Sequence, residues 1–592
     1  MPSALFYSDL KALMDASCDF YMKQANEKGF DRIRVRRANL AQNIESFHKE
    51  CGTLTPLLED RIATLRKDNC ILLMTAHQPN LFPYSGVFRK PTLIFTLAKR
   101  LEERLKVPVV SFYGIADQDF TDDRWVRSFQ LPSSTRKGGL LEIKLDLPNK
   151  KMLYKAPKPS RDAVNRMKAE IQKWFDDSII SIGGLLNDPS WPSDFKPALG
   201  SNLNAFWDLV EDCYESAETY SDFNSFLTSK IVNDLWRYDT LFARFSDCLP
   251  IFADETIFFL ARFEEYSKAL REAINQSEIE GVNGGVSNLE PELAPFWYHC
   301  DCGSKARMSM VQKDGTLFSQ GNCIGCGRHY QLEFNKANPS LSSAAFRIFP
   351  RSIPMILTFF KGFLPSCYVG GVGGFTYLRE AQHIAESMGI PLPPIAIWRP
   401  HDKYLGLGQM EALLQLKRIR GYFDSPDYSS TKELLERRIS EMRTKSEELQ
   451  ESKRSIYKEL EKNPDDDKLK AQLKSISANQ AEINKASNFH GISRDLVILN
   501  NIPSTLYLTP SILDYAVNVG FKETSDQWML FLINSGDLSS DVSLKSVLRG
   551  DSEQVCALSN DLIVLFDELR SNVLKTIDRS MESKYDGTDT RN

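Results

Sequence analysis

Three groups of residues have the types and spacing to do chemistry, and the first lies within 71–123. One polar cluster there holds His77, Gln78 and Asn80 in the run T-A-H-Q-P-N, and another holds Asp117, Asp119 and Asp122 in A-D-Q-D-F-T-D-D. A histidine titrates near neutrality, so it can move a proton or polarise a carboxyl or phosphate oxygen. Grouped carboxylates are costly to bury unless they meet a cation, a metal or a donor such as an ammonium group. His77, Asp117 and Asp119 are therefore the catalytic candidates, and Gln78 and Asn80 are candidates for holding substrate. Taken singly, each has an equally good structural reading, in which Pro79, Asn80, Pro83 and Gly86 make turns and the aspartates cap a helix.

The second group is Cys300 and Cys302 with Cys323 and Cys326, each pair followed by glycine and separated by a 20-residue segment with an Asp314-Gly315 turn. Two knuckles joined by a hairpin form a zinc ribbon, and four such ligands close the shell of a tetrahedral, structural zinc ion. The first knuckle is C-x-C where C-x-x-C is usual. His299 lies three residues before Cys302 and stands as an alternative to Cys300. His329 is a further ligand candidate, with a surface position as its plainer reading.

The third group is the glycine-rich run C-Y-V-G-G-V-G-G-F at 367–375 with the cations upstream of it. Gly371, Gly373 and Gly374 let backbone amides approach a ligand closely, and Tyr377 follows them. The run lacks the full G-x-G-x-x-G spacing of a dinucleotide fingerprint, and a tight strand-to-helix turn accounts for it equally well. Arg347 and Arg351 are suited to an anionic substrate group.

Two strand–helix–strand units must position these groups. The apolar run 71–74, a helical pattern over 91–105 and an apolar strand over 107–115 make one βαβ unit. A strand over 353–359, the glycine turn, a helix over 376–388 and a strand over 394–398 make a second. In such units the polar residues after each strand meet in one crevice beyond the carboxyl ends of the sheet. The fold class expected is α/β, a Rossmann-like parallel-sheet core. Further strands are predicted over 240–246 and 248–253, and an edge hairpin over 129–147. Trp174, Trp191, Phe206, Trp207 and Trp236 read as core anchors of a helical stretch over 160–280.

From Thr431 the composition turns charged, and Leu435, Ile439, Met442, Leu449, Ile456 and Leu460 fall on heptad positions. Asn463 to Asp466 break the pattern, and Leu469, Leu473, Ile476 and Ile483 resume it. This predicts a long antiparallel coiled-coil hairpin, each arm of about 30 residues reaching roughly 45 Å. The division expected is 1–67 helical, 68–295 first part of the core with helical insertions, 296–334 zinc ribbon, 335–425 second part of the core, 426–489 coiled-coil hairpin, and 490–592 a helical region with a disordered tail.

Whole-chain properties exclude several classes. The 592 residues carry 73 Lys plus Arg against 78 Asp plus Glu, a net charge of -5, so no global basic field draws in nucleic acid or an anionic membrane. No apolar run reaches bilayer-spanning length and no signal peptide is recognisable, which together with scattered cysteines reads as a cytoplasmic, reducing location.

The segment 76–122, with Gln78, Leu81, the strand V-P-V-V at 107–110 and Asp117-x-Asp119-Phe120, resembles the bacillithiol-biosynthesis cysteine-adding enzyme family, BshC. Arg347, Ile353-Pro354, the glycine-rich turn with Tyr377 and Glu380, and Met388-Gly389 before Pro393-Pro394 recur in the order of that family, and the heptads follow in the expected place. The resemblance implies a Rossmann-like core akin to nucleotidyl-transferring enzymes, a homodimer formed through the coiled coil, and a ligase that joins cysteine to a glucosaminyl-malate amine as an amide. ATP or another nucleotide is the implied activator, although no P-loop is present. This sequence departs from the family at His77, where a paired Gln is usual, at Ala116 and Gln118 within the family's E-D-H-D-F, and at Gly374, where an acidic residue is usual. The zinc ribbon is an addition. The run H-Q-P-N-x-x-P at 77–83 also resembles the WbqC-like family over that single loop. A second reading is a tRNA- or other nucleic-acid-binding protein related to class I aminoacyl-tRNA synthetases, against which the charge and the lack of H-I-G-H and K-M-S-K-S signatures weigh. A third is a non-catalytic scaffold.

Overall fold

The computed structural model describes residues 6–25, 30–67, 70–279, 292–313, 316–334, 341, 344, 346–483, 490–549 and 553–569. The Asp314-Gly315 turn and the tail from 570 onward lie outside these residues.

The strands in chain order are β1 (Phe6–Tyr7), β2 (Ile71–His77), β3 (Val109–Ile115), β4 (Ser128–Pro132), β5 (Leu140–Lys144), β6 (Leu241–Arg244), β7 (Leu293–His299), β8 (Lys305–Lys313), β9 (Thr316–Cys323), β10 (His329–Phe334), β11 (Ile348–Pro350), β12 (Cys367–Val369) and β13 (Ile395–Ala396). Six of them form one parallel sheet in the order β1-β13-β12-β2-β3-β6. β2 and β3 are apolar and buried on both faces, which is what a parallel sheet covered by helices on each side requires. The chain runs from β2 to β3 on one side and later lays β12 on the other side of β2, so the strand order reverses between β2 and β12. A Rossmann-like α/β core results, with its topological switch point at those two strands.

Several helices begin or lie where the sequence does not suggest. After α1 (Leu10–Ala25), α2 (Phe30–Cys51) and α3 (Pro56–Leu65), helix α4 spans Ser85–Leu105 rather than 91–105, with Pro91 inside it. The six added residues carry Arg89 and Lys90 into the core, 0% and 4% exposed. The strand expected over 353–359 is the helix Ser352–Phe363. Periodicity cannot separate a buried strand from a short buried helix, and here Pro354 in the first turn favours the helix while Ile353, Leu357 and Phe360 make its buried stripe. Residues 248–253 fall mainly in a 3-10 turn over Phe245–Phe252, not in a strand. β4 and β5 form a hairpin of their own and not an edge of the main sheet. The four tryptophans and one phenylalanine named as anchors are all buried.

A second sheet, antiparallel and in the order β10-β9-β8-β7-β11, carries the four clustered cysteines. Beyond the core, the helices Tyr428–Leu460 and Asp467–Ile483 pack on one another across a short turn. Leu435 and Ile439 are buried near the base, whereas nothing on the second helix is buried.

Candidate active site

The crevice beyond β2 and β12 is lined from four directions. From β2, the backbone carries His77 and Gln78 out of the sheet. The His77 Nδ1 lies 3.0 Å from the Gln78 carbonyl oxygen. Because that oxygen can only accept, Nδ1 carries the hydrogen and Nε2 is left as an acceptor. Burial, reinforced by the nearby Lys90 ammonium, pushes His77 down to about 3, so the ring stays neutral at physiological pH. The loop after it is held by Phe82, which sits at φ 39° with its ring packed among Phe129, Phe206 and Trp207.

Lys90 rises into the crevice from α4 and donates to the Ala76 carbonyl oxygen at 2.8 Å. A Cβ on Gly371 would stand 3.2 Å from the Lys90 Cε and Nζ, so the glycine turn after β12 closes directly over this lysine. Burial lowers Lys90 to about 7, which makes it a group that titrates at working pH. Gly373 and Gly374 face open space, and the helix Phe375–Met388 begins just after them with its N-terminal amides at the rim.

From the β3 side comes Asp119, whose Oδ2 accepts from Gln78 Nε2 at 2.8 Å and whose side chain is 36% exposed. From the helix Phe375–Met388 comes Glu380, fully buried. Among the described residues neither of its carboxyl oxygens has a hydrogen-bond partner, and burial raises it to about 7. Tyr377, one turn before Glu380 on the same helix, is raised by burial and by the charges of Glu380 and Asp119. The site thus brings together His77, Gln78, Asp119, Gly371, Gly373, Gly374 and Tyr377.

Three other candidates are placed elsewhere, and a fourth, Arg351, lies at the crevice edge beyond Lys305. Asp117 is fully buried and turned toward the segment after β6, where its carboxylate accepts from the Ser246 amide at 2.9 Å and the Ser246 hydroxyl at 2.6 Å. Asn80 is buried and lines a separate small cleft with Phe82, Tyr84 and Trp125. Arg347 pairs with Asp301 at 2.7 Å beside the cysteines. Arg351 precedes the helix Ser352–Phe363, with its guanidinium 4.2 Å from the centre of the Trp297 ring that Lys305 also faces. Lys90, Glu380 as a site residue and Lys305, which lies 3.8 Å from Asp119, have no counterpart in the sequence reading.

The four cysteine sulfurs of Cys300, Cys302, Cys323 and Cys326 all lie within 4.8 Å of one another. Cys300 and Cys326 are 3.6 Å apart, and Cys302 and Cys323 3.5 Å. A tetrahedral zinc with Zn–S of about 2.3 Å sets sulfurs about 3.8 Å apart, so this set has the donors and spacing for one ion. The knuckles turn alike: Gly303 N donates to Cys300 O and Gly327 N to Cys323 O, each glycine at positive φ. His299 is not the alternative ligand, since it points away and its Nδ1 meets the Tyr154 hydroxyl at 2.8 Å. His329 is exposed and meets Asn322.

A family model described as "Bacillithiol biosynthesis BshC, N-terminal Rossmann-like domain" matches residues 8–399, more than half of the chain. The chain belongs to the BshC family. The match takes in five of the six strands of the parallel sheet, β2, β3, β6, β12 and β13, and starts one residue after β1, so it spans every wall of the crevice. It also spans the antiparallel sheet with its cysteines. A role in bacillithiol biosynthesis comes with membership of BshC. No curated protein matches the chain. Among the described residues no helix is long and apolar enough to cross a membrane.

Proposed function

We propose that this chain is an amide-forming carbon–nitrogen ligase that joins cysteine, or a similar amino acid, to the amine of a sugar conjugate. The observation that carries this reading is Lys90, buried beside the end of β2 and directly under the Gly371 turn, facing the same crevice as the Gln78–Asp119 pair at the switch point of a Rossmann-like sheet. Amide formation needs the attacking amine deprotonated and the carboxyl activated. Glu380 and Asp119 are suited to hold and deprotonate the amine, and the neutral His77 to accept a hydrogen bond from it through Nε2. Lys90 with the amides of Gly371, Gly373 and Gly374 is suited to the charge that develops on the carboxyl side. The open glycine turn and the helix start also fit the phosphates of ATP or another nucleotide, which when bound would activate the carboxylate.

Two further parts of the reading concern assembly. The four cysteines hold one structural zinc, a closed shell with no position for substrate. The helical hairpin, whose second helix buries nothing within the chain, is the surface through which two copies pair as a homodimer. Incubating the purified protein with cysteine, ATP and glucosaminyl-malate tests the reaction directly. Loss of product in Glu380→Gln and Lys90→Met, each with an unchanged melting profile or a higher melting temperature, is the expected result. Wild-type turnover in both variants would remove this site from consideration.

A further inference from the structure

The cysteine-bearing sheet does more than stand beside the crevice. The segment after β5 is clipped to both. Leu153 N donates to Asp119 O at 3.0 Å and Tyr154 N to Asp117 O at 3.2 Å, while Met152 N donates to Gly303 O at 2.9 Å and the Lys151 ammonium to Cys302 O. Two residues beyond Gly303, β8 opens with Lys305, whose side chain is 5% exposed. Its ammonium donates to Gln118 O at 3.2 Å and stands over the rings of Phe120 and Trp297, at 4.5 and 4.8 Å. Its nearest carboxylate, Asp119, is 3.8 Å away and already bonded to Gln78. Arg351 stands over the same Trp297 ring, and among the described residues its buried Nη1 has no hydrogen-bond partner. Two cations share one aromatic wall, with a donor of Arg351 left over.

We propose that Lys305 and Arg351 form a carboxylate subsite of the crevice, delivered by the antiparallel sheet and set in position by the metal knuckle at Cys300 and Cys302. A buried ammonium paired only loosely, at 3.8 Å, with a carboxylate that Gln78 also holds gains from a second anionic partner, and a guanidinium offers the paired donors that match a planar carboxylate. A carboxylate fits this place better than a phosphate. The forked donors of Arg351 match a planar carboxylate, whereas the glycine turn and helix start near Lys90 offer the amides that a phosphate prefers. This rests on the crevice being the substrate site, and it adds a specificity-determining pair that the sheet of four cysteines contributes.

The experiment is a calorimetric titration of the full-length, metal-loaded protein with succinate as the plain carboxylate probe and inorganic phosphate as its competitor. Wild type is expected to bind succinate, Lys305→Met and Arg351→Met to weaken it at least tenfold, Lys305→Arg to restore most of the affinity, and Lys474→Met, on the exposed helix Asp467–Ile483, to leave it unchanged. Cys323→Ser should weaken succinate while the melting transition of the core persists, because the clip at Gly303 loses its anchor. No succinate binding by wild type, unchanged affinity in Lys305→Met, or phosphate displacing succinate with equal or greater affinity would overturn the subsite. Failure of the ligase reading alone shows differently: Lys90→Met would keep full turnover while succinate binding still depended on Lys305.

Discussion

At the scale of single residues, the crevice trades stability for titratable groups. Lys90 titrates near 7 in the folded chain and near 10.4 when unfolded. Between those values the unfolded chain binds a proton that the native one does not, so this residue makes stability rise with pH across that window and costs most below pH 7. Lys90→Met should therefore be more stable than wild type at pH 6, by roughly 1–4 kcal/mol, with the difference shrinking toward pH 10. Denaturant melts of both proteins at pH 6, 8 and 10 check this, and a constant difference would contradict it. Asp117 and His77 should part company. Removing the Asp117 carboxylate leaves the buried Ser246 amide unmet and should cost about 1–3 kcal/mol in Asp117→Ala. His77→Ala should lose turnover with a melting temperature within a degree or two of wild type, since His77 stands at a strand end and its ring bonds the carbonyl of the adjacent Gln78 rather than a distant element. The sequence shows His77, Gln78 and Asp119 because each follows an apolar strand run. It hides Lys305, which reaches Gln118 across 187 positions, because no local pattern encodes a contact at that separation.

At the scale of elements, what could be read depended on whether an element's burial leaves a period. β2, β3 and the helix Phe375–Met388 are legible as apolar runs and a 3.6-residue stripe. The helix Ser352–Phe363 is not, because its apolar residues lie all round and mimic a buried strand. The early start of α4 is hidden for a related reason: Arg89 and Lys90 look like surface residues in a loop, yet both are buried. Arg89 is held there by the Asp402 carboxylate and the Trp398 ring, partners more than 300 positions away. The four-cysteine element was legible because its ligands are short-range pairs with glycine behind each. Metal analysis should find about one zinc per chain in wild type and a clear loss in Cys323→Ser. Unchanged zinc in that variant would contradict the ligand set.

At the scale of the whole molecule, a parallel sheet sets two loops at its switch point, and a second sheet closes one wall. The helical hairpin projects from this core with its apolar seam half covered: Leu435 and Ile439 are buried, and nothing on the second helix is. If the seam is completed by a second copy, light scattering at micromolar concentration should give twice the 67.4 kDa chain mass. A monomer there would contradict the pairing. The measurement that bears most directly on the whole account is a single-turnover assay with cysteine, ATP and glucosaminyl-malate, run on wild type and on Glu380→Gln. The account predicts an amide product that is formed by wild type and lost in the variant, whose melting temperature stays equal or rises above pH 7. Absence of product from folded, zinc-loaded wild type, or full product from Glu380→Gln, would contradict it.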